Sequence, residues 1–359
     1  MNIELLRADN LRCFEHVSFA PGPGINWLIG PNGAGKTTLL EAAYILSHGR
    51  SFRAGGRAAP KRHGANDYLV YAEARRSGQK VKLGLARKDD AWRGRLNGQD
   101  LPNLAPLFEA CPVVYFGPDS QTLLLGPAEE RRGFLDWGVF HVEHASLVLW
   151  RAWRRALRQR NALLRQRAPP SDFASWEHDM DRVARQIHAL RARCLAGLER
   201  YIAQEAASLV PELGNVHIDY RAGWDVQGGL QNQLADTRDR DREAGFTRYG
   251  AHRADWTLVF GEIAKREHLS RGQAKAAALV CTLALTRWLK DSIGEYPLLC
   301  LDDLESELDA PHAARVVHWL QEAAPQCWLT ATQPPDSNHL DPRARLFHVK
   351  RSACEPLHP

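Results

Sequence analysis

Residues 30–37 read GPNGAGKT, preceded by the largely apolar run INWLI at residues 25–29 and followed by an apolar-rich run, residues 36–46. The first run predicts a buried strand and the second the opening of a helix, which leaves the glycines in the turn between them. That is the layout of a phosphate-binding loop. Gly30, Pro31, Asn32, Gly33, Ala34 and Gly35 must turn sharply while aiming backbone N–H groups inward, and glycine is needed wherever a Cβ would block a phosphate or forbid the φ. Lys36 then reaches the β and γ phosphates of a nucleotide. Thr37, with Thr38 beside it, offers a hydroxyl to Mg²⁺, and the helix N-terminus favours the negative charge.

Working outward, 359 residues exceed one ordinary core, so two lobes are expected, a nucleotide-binding body and an insertion. No apolar run is long enough to cross a bilayer, and residues 1–10 lack the pattern of a signal peptide. A cytoplasmic protein without membrane contact is the expectation. Seven scattered cysteines with no CxxC pair predict reduced thiols rather than zinc or disulfides. The formal charge of +5 is compatible with a polyanionic partner without requiring one.

Residues 3–8 and 17–19 read as strands of an antiparallel sheet. Between them, Arg12 and Phe14 are placed either to reach a nucleotide or to serve as a surface charge beside a core ring. Residues 68–74 and 80–87 alternate as half-buried strands around Ser77-Gly78, and Asn97-Gly98 marks a further hairpin. After the strand at 113–116 a long helical region begins, with Leu147, Trp150, Leu157 and Leu164 at helical spacing. A second helix spaces Trp176, Met180, Val183, Ile187, Leu190 and Cys194 like a coiled-coil seam. Two helices of about 35 residues would form an antiparallel arm roughly 50 Å long. Residues 227–242 are polar and read as a mobile loop.

Two further stretches complete a nucleotide site. Residues 298–303, LLCLDD, form an apolar strand that delivers Asp302 and Asp303 at its C-terminal end, where α/β sheets place ligands. Asp302 is placed to hold Mg²⁺ and Asp303 to polarise the attacking water. In residues 269–273, LSRGQ, Ser270 opens a helix and Gly272 permits close approach. With the P-loop and LDD strand this reads as an ATP-binding-cassette signature, which acts across a dimer, so Ser270 would face the nucleotide of a second copy.

GPNGAGKT, the turn HGRSFR at 48–53, GP followed by ERRGFLDW, GAHRAD at 250–255, LSRGQ and LDDLESELD occur in the order and spacing of the RecF family, which this chain resembles over nearly its whole length. The resemblance implies an α/β fold: an ABC-type P-loop ATPase lobe with antiparallel β decoration, plus an inserted, mostly helical lobe carrying a short coiled-coil arm. The expected division is 1–117 with 245–359 for the ATPase lobe and 118–244 for the insertion. It further implies a weak, DNA-stimulated ATPase that dimerises on ATP, binds DNA, and acts with RecR and RecO in recombinational repair, replication restart and the SOS response. Carried over by motif, residues 30–38, Ser270 and Gly272 take ATP, Thr37 and Asp302 the Mg²⁺, and Lys36, Asp303 and Ser270 the catalytic roles. Arg12, Arg50 and Arg53 are added as nucleotide contacts. GAHRAD departs from the family's GPHRDD, Gln121 lies only near the place of a Q-loop glutamine, and Thr332-Gln333 lie near that of a transporter's switch histidine.

For DNA, Arg151, Arg154, Arg155 and Arg158 form a basic stripe at helical spacing, suited to sequence-independent backbone contact or equally to a solvated helix face. Lys61-Arg62-His63 and Arg75-Arg76 are rival patches. The competing functional reading is the soluble ATPase subunit of a membrane transporter.

Overall fold

In a computed structural model, the described residues are 1–53, 60–88, 91–261, 268–323, 325–335, 341–351 and 353–357. They begin with β1 (Asn2–Leu11), β2 (Phe14–Phe19), β3 (Ile25–Ile29), α1 (Lys36–His48), β4 (Asp67–Arg76), β5 (Gln79–Lys88), β6 (Ala91–Leu96), β7 (Gln99–Leu101), α2 (Ala105–Ala110) and β8 (Val113–Phe116). Next come α3 (Thr122–Leu125), α4 (Ala128–Val142), α5 (Ser146–Arg165), α6 (Ala174–Leu209), β9 (Val216–Arg221), α7 (Leu230–Asp236), α8 (Arg238–Ala244) and β10 (Asp255–Phe260). The chain finishes with α9 (Arg271–Ile293), β11 (Leu298–Leu301), α10 (Leu304–Glu307), α11 (Ala310–Ala323), β12 (Cys327–Ala331), β13 (Arg345–Lys350) and β14 (Ala353–Leu357).

Two compact units result, residues 1–120 with 278–359, and residues 121–277. The return to the first unit thus falls inside α9 rather than at residue 245. The cause is local: β10 pairs antiparallel with β9 along its length, and Asp255 at its start accepts a two-pronged hydrogen bond from Arg131 of α4 at 2.7 and 3.0 Å.

The first unit holds two sheets. One is antiparallel, ordered β2-β1-β4-β5-β6-β7; its strands alternate as the sequence predicts, Tyr68, Val70, Ala72 and Ala74 of β4 facing inward. Asn97 and Gly98 both adopt positive φ, 51° and 82°, the pairing a two-residue hairpin turn requires. The other is ordered β14-β13-β3-β12-β11-β8 and is parallel except at β14. Central β3 is buried at all five positions, which explains its largely apolar sequence; its one polar residue, Asn26, is hydrogen-bonded to the backbone of Gly22 and Gly24. Helix α1 shares one core with both sheets, through Leu39, Leu40, Ile45 and Leu46 against Leu6, Val70, Leu28 and Trp328. Each such Leu or Ile contributes on the order of 1.5–3 kcal/mol. This burial fixes the N-terminal end of α1 beside the C-terminal ends of β3 and β11.

The second unit differs from the expected arm. The helical region after residue 127 breaks between α4 and α5, and α5 has 20 residues against 36 in α6, so the paired length is about 30 Å. The buried row of α5 is Trp153, Ala156, Arg160 and Leu164, while Leu147, Trp150 and Leu157 are only half-buried. Of the seam predicted on α6, Met180, Val183, Ile187 and Cys194 are buried, whereas Trp176 and Leu190 are not. The polar stretch 227–242 is not a loose loop. It forms α7 and α8, because its charges are satisfied internally: fully buried Asp241 accepts from Arg160 at 2.8 Å and Arg248 at 3.1 Å.

The family motifs of this unit prove to be its interior bolts. Arg131 meets Asp255, Arg132 donates to the Ala254 carbonyl at 2.9 Å, and Asp136 takes a two-pronged bond from Arg191, which also donates to the Ala251 carbonyl at 2.7 Å. His252 lies in the same knot, its Nε2 3.1 Å from the Thr247 carbonyl oxygen and its ring 5.7 Å from that of Trp153. Burial, reinforced by the charges of Arg253, Arg132 and Arg191, lowers its pKa to about 4. Between pH 6.5 and 4 the unfolded chain therefore takes up a proton that the folded chain refuses. Stability present above pH 6.5 is lost as the pH falls through this window, by up to about 3 kcal/mol. His252→Gln should remove that share of the acid sensitivity, measured as the difference in urea unfolding midpoints between pH 7.5 and 5.

Candidate functional site

Gly35 closes the loop into α1 in a left-handed conformation, φ 111°, and a Cβ there would lie 2.3 Å from the Phe14 ring. Phe14 is therefore fully buried beneath the loop and does not reach into the site. Gly33 is likewise left-handed at φ 79°, with open space where its Cβ would be. The loop borders a cleft of about 330 Å³ in the first unit, lined by Arg12, Cys13, Asn32, Gly33, Gly35, Lys36, Thr37, Thr38, Arg53, Pro118, Asp302, Asp303 and Thr330. Most of the predicted phosphate and metal residues thus line one space.

Lys36 bends back over its own loop and donates to the carbonyls of Gly30 at 2.7 Å and Pro31 at 3.2 Å. Burial lowers its pKa, against the opposing charges of Asp303 and Asp302. The Thr37 hydroxyl donates to Asp302 Oδ1 at 3.0 Å, which sets together the two groups expected to hold Mg²⁺. Asp302, at the end of β11, also accepts from Thr330 at 2.7 Å and from the Tyr115 hydroxyl, on Oδ2, at 3.3 Å. Even so, burial raises its carboxyl pKa. A hydroxyl and a buried, electron-rich carboxylate at one end of a glycine cradle form a donor set that fits Mg²⁺. Asp303 starts α10 in the left-handed region, φ 56° and ψ 43°, its N–H held by Thr330 at 2.8 Å and its carbonyl accepting from Ser306.

Arg12 and Arg53 line the cleft, whereas Arg50 is exposed and outside its lining. Thr332 and Gln333 are exposed, and the residue of β12 that reaches the cleft is Thr330. Gln121 precedes α3 in the second unit without a side-chain capping bond, its Oε1 buried and without a partner among the described residues. Cys13 is exposed in the cleft with its Sγ 4.0 Å from Thr38 Oγ1; all seven cysteines are free. Sequence reasoning missed Tyr115, Thr330 and Glu41. The first two carried a faint signal as polar groups at the ends of apolar strands.

In the second unit Ser270 and Gln273 form a reciprocal cap at the start of α9, Ser270 N–H to Gln273 Oε1 at 2.9 Å and Gln273 N–H to Ser270 Oγ at 3.2 Å. Both Ser270 and Gly272 are exposed, and among the described residues a Cβ on Gly272 would meet nothing nearer than Ser270 Oγ at 4.0 Å. Arg151, Arg154, Arg155 and Arg158 are all exposed along α5, and Arg155 lies over the Trp176 ring at 6.0 Å. Of the rival patches, Arg62 pairs with Glu15, Arg75 with Glu4, and Arg76 donates to the Glu109 carbonyl. No described helix is long and apolar enough to span a membrane.

Residues 6–96 match a family model described as an AAA domain. Over 358 residues the chain is 40% identical to the DNA replication and repair protein RecF of Stenotrophomonas maltophilia, covering 98% of each. It is 38% identical to that of Chromohalobacter salexigens, covering 93% of this chain and 92% of the relative. Among solved structures it is similar to a recombination mediator protein RecF–ATP of the RecFOR pathway, with a TM-score of 0.89 at 23% identity over 99% and 98% of the two chains. An Smc head bound to the C-winged helix domain of ScpA matches with a TM-score of 0.60 at 14% identity, over 99% and 97%. The structural likenesses establish a RecF and SMC-head fold, consistent with an ABC-type ATPase. With both of these sequence relatives matched over more than nine-tenths of their length, this chain belongs to the RecF family of DNA replication and repair proteins.

Proposed function

We propose that the cleft binds Mg·ATP, that two copies close over two nucleotides, and that the closed dimer holds DNA until slow hydrolysis reopens it. The observation that carries this is the convergence of Lys36, Thr37, Asp302 and Asp303 on one glycine-lined cleft. Residues 30–38 cradle the triphosphate with backbone N–H groups and Lys36, while Thr37 and Asp302 hold the metal. Bound Mg²⁺ would draw charge off the β and γ oxygens. Asp303 orients and deprotonates water, and its short side chain suits a timer rather than a fast catalyst.

Ser270 and Gly272 supply the partner's share. Both are exposed at the dipole-positive end of a 23-residue helix, and among the described residues nothing crowds Gly272, which supports approach by another molecule. DNA is held by phosphate contacts from Arg151, Arg154, Arg155 and Arg158, all four exposed along α5. RecR and RecO are the expected protein partners and the cytoplasm the expected compartment. A transporter's ATPase subunit is not favoured, since the relatives matched along 98% of the chain are RecF proteins.

Analytical ultracentrifugation tests the scheme. Asp303→Asn with Mg·ATP should accumulate as dimer, and adding Ser270→Arg should return it to monomer while a fluorescent ATP analogue still binds within about threefold. A monomeric Asp303→Asn at saturating nucleotide would sink the reading.

A further inference from the structure

Glu41 lies in the otherwise apolar stretch of α1, with its side chain fully buried. A carboxylate loses heavily on leaving water, so the groups that meet it decide its purpose. They come from two separate stretches. Arg12, in the turn between β1 and β2, donates Nε to both oxygens at 3.2 and 3.0 Å and Nη2 to Oε1 at 2.7 Å. From the segment after α1, the Ser51 hydroxyl donates to Oε1, and Arg53 Nη1 lies 3.9 Å from Oε2. Ser51 in turn takes the Arg53 backbone N–H at 2.9 Å. Both arginines also line the cleft with Lys36 and Asp302.

We propose that Glu41 is a positioning residue for nucleotide: one buried carboxylate draws two arginines from different loops to the rim of the cleft and fixes their guanidinium groups for a triphosphate. The proposal rests on reading the cleft as an ATP site. Two guanidinium groups at one rim repel each other, and each long side chain loses rotamer freedom on binding an anion. A carboxylate between them removes the repulsion and settles the ordering before nucleotide arrives. Arg12 is committed from the backbone as well: its φ is 53° and its N–H bonds the Pro60 carbonyl at 2.8 Å, so the turn is built to aim it. Three features of scattered sequence, the turn at 12, the glutamate at 41 and the serine–arginine pair at 51 and 53, thereby form one device.

The test is a comparison of ATP affinities, by titration of a fluorescent ATP analogue, with turnover measured at saturation. Glu41→Gln keeps size and packing but loses the charge that holds both arginines. It should weaken binding about tenfold while turnover at saturation stays within about twofold. In an Arg12→Ala/Arg53→Ala background the same substitution should cost less than about twofold, because it acts through those side chains. A loss of undiminished size in that background, or unchanged affinity in the wild-type background, overturns the proposal. Should Glu41→Gln fail to fold, Arg12→Lys decides: lysine cannot span both Glu41 oxygens, so it should bind as weakly as Arg12→Ala, and wild-type affinity would overturn the proposal. Lys36→Ala separates the two levels. If it binds the analogue normally, the ATP-site reading itself falls; if it loses binding while Glu41→Gln does not, only the role of Glu41 falls.

Discussion

Lys36→Ala should lose Mg·ATP binding by a factor of about 10²–10³ while the folded chain survives. The side chain is almost fully buried and makes two hydrogen bonds to its own loop, so its removal disturbs little beyond the cleft. What it removes is charge. Asp302 and Asp303 face the same space, and without the ammonium they meet a polyanionic ligand with only Arg12 and Arg53 at the rim. A unit charge at about 4 Å from a phosphate oxygen is worth on the order of 4 kcal/mol at an effective dielectric of about 20, which sets the size of the loss. Titration of a fluorescent ATP analogue reads the affinity directly. In the same preparation the nucleotide-dependent rise in melting temperature should vanish at nucleotide concentrations below the raised Kd, since ligand stabilisation grows as the logarithm of one plus the ratio of ligand concentration to Kd. A variant that keeps its nucleotide affinity would place the ATP site elsewhere.

The largest effect on stability is expected at Arg160. Its side chain has no exposure and donates to Glu177 at 3.1 Å, Asp241 at 2.8 Å, Thr247 at 2.9 Å and the Leu234 carbonyl at 3.0 Å. Arg160→Met retains bulk and strands two buried carboxylates beside Arg238 and Arg248, which cannot replace the lost forks. Breaking a buried pair of this kind costs about 3–5 kcal/mol. Urea unfolding followed by tryptophan fluorescence should show the second unit melting early. Replacing Glu177 and Asp241 by leucine in the same variant should recover much of the loss, because the uncompensated charge causes it. No recovery would mean that shape, rather than charge, sets the cost.

The same residue shows where sequence reading stops. The P-loop, the LDD strand and the hairpins at Ser77-Gly78 and Asn97-Gly98 were legible because each rests on local chemistry: a backbone that needs glycine, an apolar strand ending in carboxylates, a turn that needs positive φ. Glu41 and Arg160 were not. A charged side chain inside a helical pattern reads as a solvated face, and only tertiary structure reveals partners as far as 29 residues away for Glu41 and 87 for Arg160. The same blindness acts on whole segments: reading the polar run 227–242 as solvated turned two packed helices into a loop. GPxxxRRxFLDW and GAHRAD were recognisable as patterns, yet their work as interlocking ion pairs becomes visible only when Arg131 meets Asp255 and Arg191 meets Asp136.

The left-handed backbone of Asp303 reaches beyond this one chain. Asparagine and aspartate enter that region at modest cost, whereas longer and branched residues resist it by roughly 1–2 kcal/mol. Asparagine is therefore the clean probe of the carboxylate's chemistry, and a glutamate there would confound reactivity with conformational strain. A longer carboxylate at 303 would carry that conformational cost on top of any gain in reactivity, so the handedness of the main chain by itself favours the shorter acid.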